Sequence, residues 1–551
     1  MIKPIHAAAY AAGICCLILL ASCSAIPGGN NVSPAGETAG QSAVSAAPTA
    51  EISVESAESA PVSAESGVPG ESNEPVGTTA PGETTEPSGT AVPEPAVPGN
   101  QYIMNLTLDT AANTIGGTER VVIQNDSNDD WDKLCFRDYP SLFTKGGKSG
   151  YDTDGAVSDI SHMRDITNNM DLIVYRDTED LSVVYVQLGT PLKAGESRTV
   201  EFEFTAHVPE LGSRYGYMDG IYNLGNFYPV LSVYENGGWS TEKYFSYGEC
   251  FYSVVSDYRI TLSVPLNYRV ISSGLSSMTS VSGGQGIWTV NAPRVRDFAM
   301  IAGDDFDVVS DSVDGVTVKS YYMNGDEYRG RSAMQAGLDA VRAFNAAFGE
   351  YPYPELDIVE TYLDALGMEY PNIVMISESV TNNEGSVHGS FSRLENVIAH
   401  EIGHQWFYGL VGDNQFTEAW LDESFASYSE WVYEELFLDK GTLDYNMFIL
   451  SDSLEPETNL YPDDYFCINK EYDEFGSDHE YVYAVYKNGA VFLYRLRDAM
   501  GRDAFDQAMH EYVAGNMYDV ATTEAFSELF LTKAGENAEV AALFQKYLGC
   551  A

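Results

Sequence analysis

Basic residues are scarce in this chain: 29 lysines and arginines stand against 81 aspartates and glutamates, a formal charge of −52 over 551 residues. A surface so acidic is repelled by phosphate backbones and anionic headgroups, which excludes nucleic-acid binding as a function class. Cationic peptides remain compatible with it. Cysteine is also thin. Beyond residue 23 only Cys135, Cys250, Cys467 and Cys550 remain, far apart and without CxxC spacing, so a cysteine-based metal site is excluded. One or two disulfides are permitted among them, and their spacing selects no pairing. Long apolar runs are missing as well. The one candidate, residues 7–20, is too short to span a bilayer.

That short run has a different meaning. Lys3 precedes it and Leu20-Ala21-Ser22-Cys23 closes it, the layout of an export signal. The LASC ending resembles the bacterial lipobox, which implies lipidation of Cys23 as the mature N-terminus and removal of the residues before it. The expectation is an exported bacterial lipoprotein, anchored to the cell membrane with its bulk outside the cytoplasm. Residues 24–100 contain no lysine or arginine and are built of Pro, Ser, Gly, Ala, Thr and Glu. Such a stretch buries too little apolar surface to offset chain entropy and is expected to be a disordered linker. As a flexible coil it would reach about 50 Å.

From Gln101 the pattern becomes strand-like. YIMNLTLD, TERVVIQND, LSVVYVQL, RTVEFEFTAHV and DYRITLSVPL alternate or are β-branched, punctuated by Gly, Asn, Asp and Pro. They predict an antiparallel β domain over residues 101–312. Asp152-Thr153-Asp154-Gly155 lacks the first and last acidic ligands of a calcium loop and reads as a turn. Residues 313–551 read as α+β and mostly helical, with strands in LDIVETYL and NIVMIS. Helices are expected over 331–348, 395–409, 421–436, 483–500, 504–512 and 522–531.

The stretch HEIGHQWFYGLVGDNQFTEAWLDE carries the chemistry. On a helix His400 and His404 are one turn apart on one face and can share an ion. A catalytic zinc takes three N or O ligands and keeps a fourth position open, and Glu423 is spaced to be the third. Glu401 would lie beside the open position as general base. Gly403 lets another segment pack closely on that turn.

HEIGHQWFYGLVG and WLDESFASYSEW, with GMEYP before and Tyr486-Lys487-Asn488-Gly489 after, resemble the zinc aminopeptidases of peptidase family M1. NLGNFYPVLSVYENGGW and DYRITLSVP resemble that family's N-terminal β domain. The resemblance implies a thermolysin-like catalytic domain holding one zinc per chain on His400, His404 and Glu423. Glu401 would act as base and Tyr486 would donate to the oxyanion. Gly367, Met368 and Glu369 would bind substrate, with Glu369 taking the α-amine and Gly367 admitting the peptide backbone. Glu430 would orient a zinc histidine.

The chain departs from the family at several points. Leu366 stands for a glycine, Tyr370 for an asparagine and Ser424 for a glycine; Lys487-Asn488-Gly489 replaces Glu-Lys-Gly, and the PCxDEP-like segment is missing. The sequence ends at Ala551, before any helical C-terminal domain like that of larger relatives, so a more open cleft is expected. The reading is an extracytoplasmic aminopeptidase acting on oligopeptides. Its alternatives are a catalytically inactive peptide-binding surface protein, or an endopeptidase or dipeptidase with an open cleft.

Overall fold

The computed structural model describes residues 99–143, 158–245, 248–381, 393–458 and 467–549. The export segment with Cys23, the linker up to residue 98, the turn at 152–155 and Cys550 lie outside the described residues.

Strand Gln101–Asp109 sets the pattern of the first half. Tyr102, Met104, Leu106 and Leu108 are buried and alternate with more exposed neighbours, the period of two that a half-buried strand requires. It lies inside an eight-stranded sheet, antiparallel to Thr114–Gln124 on one side and parallel to Ser256–Pro265 on the other. The antiparallel domain read from the sequence therefore contains one parallel pair. The long chain between those two strands is what allows both to run the same way. Two four-stranded sheets, one of them containing Ile221–Gly225 and Ala299–Gly303, and a two-stranded hairpin complete this half among the described residues.

The second half is built on a five-stranded sheet of Asp307–Val313, Val316–Tyr322, Glu355–Thr361, Ile373–Ser377 and, at the edge, Gly367–Tyr370. Its first two strands form a hairpin that turns on Asp314 and Gly315, at φ of 50° and 86°. Asp-Gly suits such a two-residue turn because both positions need positive φ. The boundary expected at 312 cuts through this hairpin, and strand pairing carries Asp307–Val313 into the second half.

Helix Glu327–Phe348 starts at Asp326, whose side chain accepts the Arg329 N–H at 3.2 Å. Gly337 on this helix faces Val318 and Ile358 of the sheet and Ile402 of the next helix, so sheet and helices meet at close range. Helices Arg393–Gly403, Trp420–Glu434, Lys440–Thr458, Gly489–Met500, Arg502–Asn516, Thr523–Ala534 and Ala538–Tyr547 follow. No pattern read above predicts Lys440–Thr458 or Ala538–Tyr547. None of the described helices is long and apolar enough to cross a membrane.

A small core containing Ile221, Ile301, Val359, Met368, Ile373 and Met375 joins the first half to the five-stranded sheet. Cys467 is in a disulfide, while Cys135 and Cys250 are free and buried.

Candidate active site

The helix carrying the first histidine runs Arg393–Gly403 and ends six residues before the end of the expected 395–409. His404 N–H still bonds back to His400 O at 3.3 Å, which preserves the one-turn relation of the imidazoles. Beyond it the chain folds into a compact turn, with Gly409 N–H on His404 O at 2.9 Å and Tyr408 N–H on Val411 O at 2.8 Å. Tyr408 has φ of 110°, which no helical residue can have, so the helix does not reach 409 as expected.

Helix Trp420–Glu434 packs against this one where Gly403 has no side chain. A Cβ there would stand 2.8 Å from Ser429 Cβ, so the close approach read from the sequence is present. The contact brings Glu423 Oε2 to 3.3 Å from His400 Nε2 and 3.5 Å from His404 Nε2. A tetrahedral site with bonds of about 2.05 Å has edges of about 3.3 Å, so the glutamate oxygen stands at ligand spacing for zinc from both imidazoles, and the three ligand atoms lie within 4.8 Å of one another. Glu423 Oε2 is buried and receives no hydrogen bond among the described residues. Such an orphaned acceptor fits a cation.

The other nitrogen of each ring is engaged. His400 Nδ1 lies 3.0 Å from Glu430 Oε1, and His404 Nδ1 contacts Asp422 Oδ1. Gln415 Nε2 donates to the second Asp422 oxygen. Each carboxylate accepts an Nδ1–H and so leaves the Nε2 lone pair facing the gap. Glu430 is thus beside a histidine, as the resemblance implied. Asp422 and Gln415 were not singled out from the sequence. The signal was the second histidine itself, which needs an acceptor on its far side.

Glu401 is buried, and its Oε2 has no hydrogen bond among the described residues. Burial pushes its carboxyl up to about 7, against the pull of both histidines, which suits a base working near neutrality. Gly367 lies against it: a Cβ at that position would be 2.1 Å from Glu401 Oε1. The missing side chain at Gly367 thus makes room for Glu401.

Glu369 is buried on the same edge strand. One of its oxygens, one His404 ring nitrogen and one Asp422 oxygen lie within 4.8 Å of one another. Burial first, then the neighbouring Glu249 charge, raises its carboxyl well above the ordinary range. Met368 between Gly367 and Glu369 faces the other way and packs into the small core with Val359 and Met375. Strand alternation thus removes its side chain from the substrate-binding set.

Tyr486 belongs to a π-helical turn, Val482–Asn488, a widened geometry that recurs at functional sites. Its ring stacks parallel to His400 at 6.0 Å and its hydroxyl donates to Glu423 Oε1. Ser424, one residue past Glu423, donates to Val485 O and so ties the glutamate's helix to this turn. Tyr370 donates its hydroxyl to Asn226 Oδ1 of the β domain at 2.8 Å. From the same domain comes Glu249, held by Arg214 through contacts of 2.6 and 2.8 Å. Neither residue carries a local sequence signal.

Fold and site together form a candidate metal centre of the HEXXH type. Residues 333–547 match the peptidase family M1 domain. Aminopeptidase M1 of Arabidopsis thaliana is 27% identical over 286 residues, 48% of this chain and 31% of that protein. Aminopeptidase Q of Mus musculus is 22% identical over 366 residues, 62% of this chain and 64% of its own. The chain spans about a third of the length of the plant relatives it matches. Among solved structures, the M1 zinc metallopeptidase of Deinococcus radiodurans has the same fold, with a TM-score of 0.60 and 18% identity over 83% of this chain and 96% of that one. A mutant of that enzyme has been solved with a Tyr-Ser-Ala substrate, at a TM-score of 0.56.

Proposed function

We propose that this chain is a zinc-dependent aminopeptidase that removes residues from the amino ends of oligopeptides. The observation that carries the reading is the placement of a buried carboxylate without a hydrogen-bond partner among the described residues, Glu369, within 4.8 Å of His404 and Asp422. An extended peptide can add its backbone to the free side of the edge strand Gly367–Tyr370. Its ammonium then pairs with Glu369, which fixes which peptide bond lies at the metal site. An internal bond offers no ammonium and would leave Glu369 buried and unpaired.

Zinc held by His400, His404 and Glu423 supplies Lewis acidity, which makes water more acidic and a carbonyl more electrophilic. Glu401 takes the proton from the attacking water and passes it to the leaving nitrogen. Tyr486, turned from Glu423 toward the substrate, donates to the developing oxyanion. The Tyr-Ser-Ala substrate of the Deinococcus enzyme and the L-arginine bound to a two-domain M1 zinc metallopeptidase support the choice of substrate class. The presence of all three ligands and the base weighs against a non-catalytic binding protein.

Lys3, the apolar run and Cys23 support a further part of the proposal, that the enzyme acts outside the cytoplasm, tethered by lipid. Cys23→Ser should release the protein from membranes into the soluble fraction, and retention on membranes would overturn the tether.

The catalytic reading is tested with the purified chain. It should contain stoichiometric zinc and hydrolyse aminoacyl-anilides, and chelation should abolish turnover reversibly. A folded sample that neither binds a divalent metal nor gains cleavage from added metal salts would rule the reading out.

A further inference from the structure

The carboxylate of Asp297 is buried where the β domain meets the catalytic half, 1% exposed. No lysine or arginine is ion-paired to it among the described residues. Neutral donors surround it instead: Asn226 Nδ2 at 2.5 Å, Phe298 N–H at 2.7 Å, and the hydroxyls of Tyr228 and Tyr408 at 3.4 Å each. Burial raises its carboxyl to about 6, against the pull of these donors. A buried carboxyl with four donors around it holds them in fixed directions.

Two of the donors lead into the candidate active site. Asn226 turns its side-chain oxygen to the Tyr370 hydroxyl, and Tyr370 adjoins Glu369 on the edge strand. The fit there is tight, because a Cβ on Gly225 would stand 2.1 Å from that hydroxyl. Tyr408 lies four residues past His404 at φ of 110°, a conformation that bulky residues keep only when their surroundings impose it. Both of its ends are gripped from the β domain. Its carbonyl accepts from Arg296 Nε at 2.7 Å and its hydroxyl donates to Asp297. Gln405 closes the loop from the other side, with Nε2 on Tyr370 O at 3.1 Å and Oε1 accepting from Asn372 N–H at 2.7 Å. Glu369 itself receives no hydrogen bond from a described residue, so the position of its strand sets its direction.

We propose that Asp297 is a positioning residue for the amine-binding carboxylate: through Asn226 and Tyr370, and through Tyr408, it fixes the edge strand so that Glu369 selects a free α-amine. The proposal rests on the reading of Glu369 given above. Asp297 touches no reacting atom, so its loss acts on amine selection and not on bond cleavage.

The test uses the full, metal-loaded chain and two substrates, an aminoacyl-anilide and the same anilide without its α-amine. The ratio of their kcat/KM values measures amine selection. Asp297→Asn should lower that ratio about tenfold, chiefly through KM, with kcat on the free-amine substrate changed less than about threefold. Tyr370→Phe, which removes one hydroxyl, should lower it about threefold, and adding it to Asp297→Asn should do little more. A folded, zinc-replete Asp297→Asn protein with an unchanged ratio, or with equal losses on both substrates, would overturn the proposal. If Asp297→Asn does not fold, Tyr370→Phe and Tyr408→Phe decide, and an unchanged ratio in both overturns it. Glu369→Gln run alongside separates the two levels. If it collapses the ratio while Asp297→Asn does not, this inference alone fails; if it leaves the ratio intact, the amine-anchor reading fails with it.

Discussion

In the β domain three carboxylates removed from solvent each face an arginine. Asp138 meets Arg176 at 2.6 Å, Asp165 meets Arg198 at 2.8 Å, and Glu249 is gripped by both terminal nitrogens of Arg214. Around the two histidines the opposite holds. Glu369, Glu401, Asp422, Glu423, Glu430 and Glu434 are all buried, and none is ion-paired to a lysine or arginine among the described residues. An arginine satisfies a carboxylate and leaves nothing over for a ligand. Six acids with only two imidazoles between them leave that part of the molecule short of positive charge, which a divalent ion and a substrate ammonium can supply.

The contrast is broken most sharply at Glu401. Glu401→Gln should lower kcat about a thousandfold while the protein keeps its metal, read by turnover and by elemental analysis of the same sample. On the other side, Arg198→Met strips Asp165 of its partner in a buried setting and should cost about 3 kcal/mol in urea unfolding, with kcat per folded molecule unchanged. Removing the metal comes next. At free zinc a hundredfold above Kd the bound ion contributes about 2.7 kcal/mol, so chelation should lower the melting temperature accordingly.

That loss should also depend on pH. Burial raises Glu401 to about 7 and Glu434 to about 8, above the ordinary 4.5. The folded metal-free state therefore binds these protons more tightly than the unfolded chain. Their stabilising contribution is complete below the unfolded value and disappears as pH rises through 7 to 8, so the metal-free protein should melt lower at pH 8 than at pH 6. The smallest effect sharpens the comparison from within the β domain. Glu119 is buried with neither oxygen hydrogen-bonded among the described residues, and burial, then Asp138, raises it well above its ordinary value. Glu119→Leu should stabilise the chain by about 1 kcal/mol at neutral pH in a thermal melt.

Much of this is legible in the sequence because it is local. HEXXH spacing gives a shared face, and alternation in YIMNLTLD gives a strand whichever partner it finds. Other parts depend on contacts that local spacing cannot express. Asp422 adjoins Glu423, and helical neighbours point about 100° apart, so assigning one to the metal seems to send the other away. His404 lies past the end of its helix, where it meets that second direction. Glu249 and Arg214 reach the site from another domain. The closeness of Gly367 to Glu401 was not legible for a related reason: a missing side chain shows where space is needed without saying what fills it. Helix Lys440–Thr458 carries Gly, Asp, Ser and Pro and no clean apolar stripe, so no period announces it.

The contact between Gly367 and Glu401 has a mechanical consequence. Only a hydrogen atom separates the edge strand from the base, so the strand acts as a hard stop that gauges how far the carboxylate can swing. A single methyl group inserted there would work like a shim, tilting the base away from its water without altering any charge in the cleft.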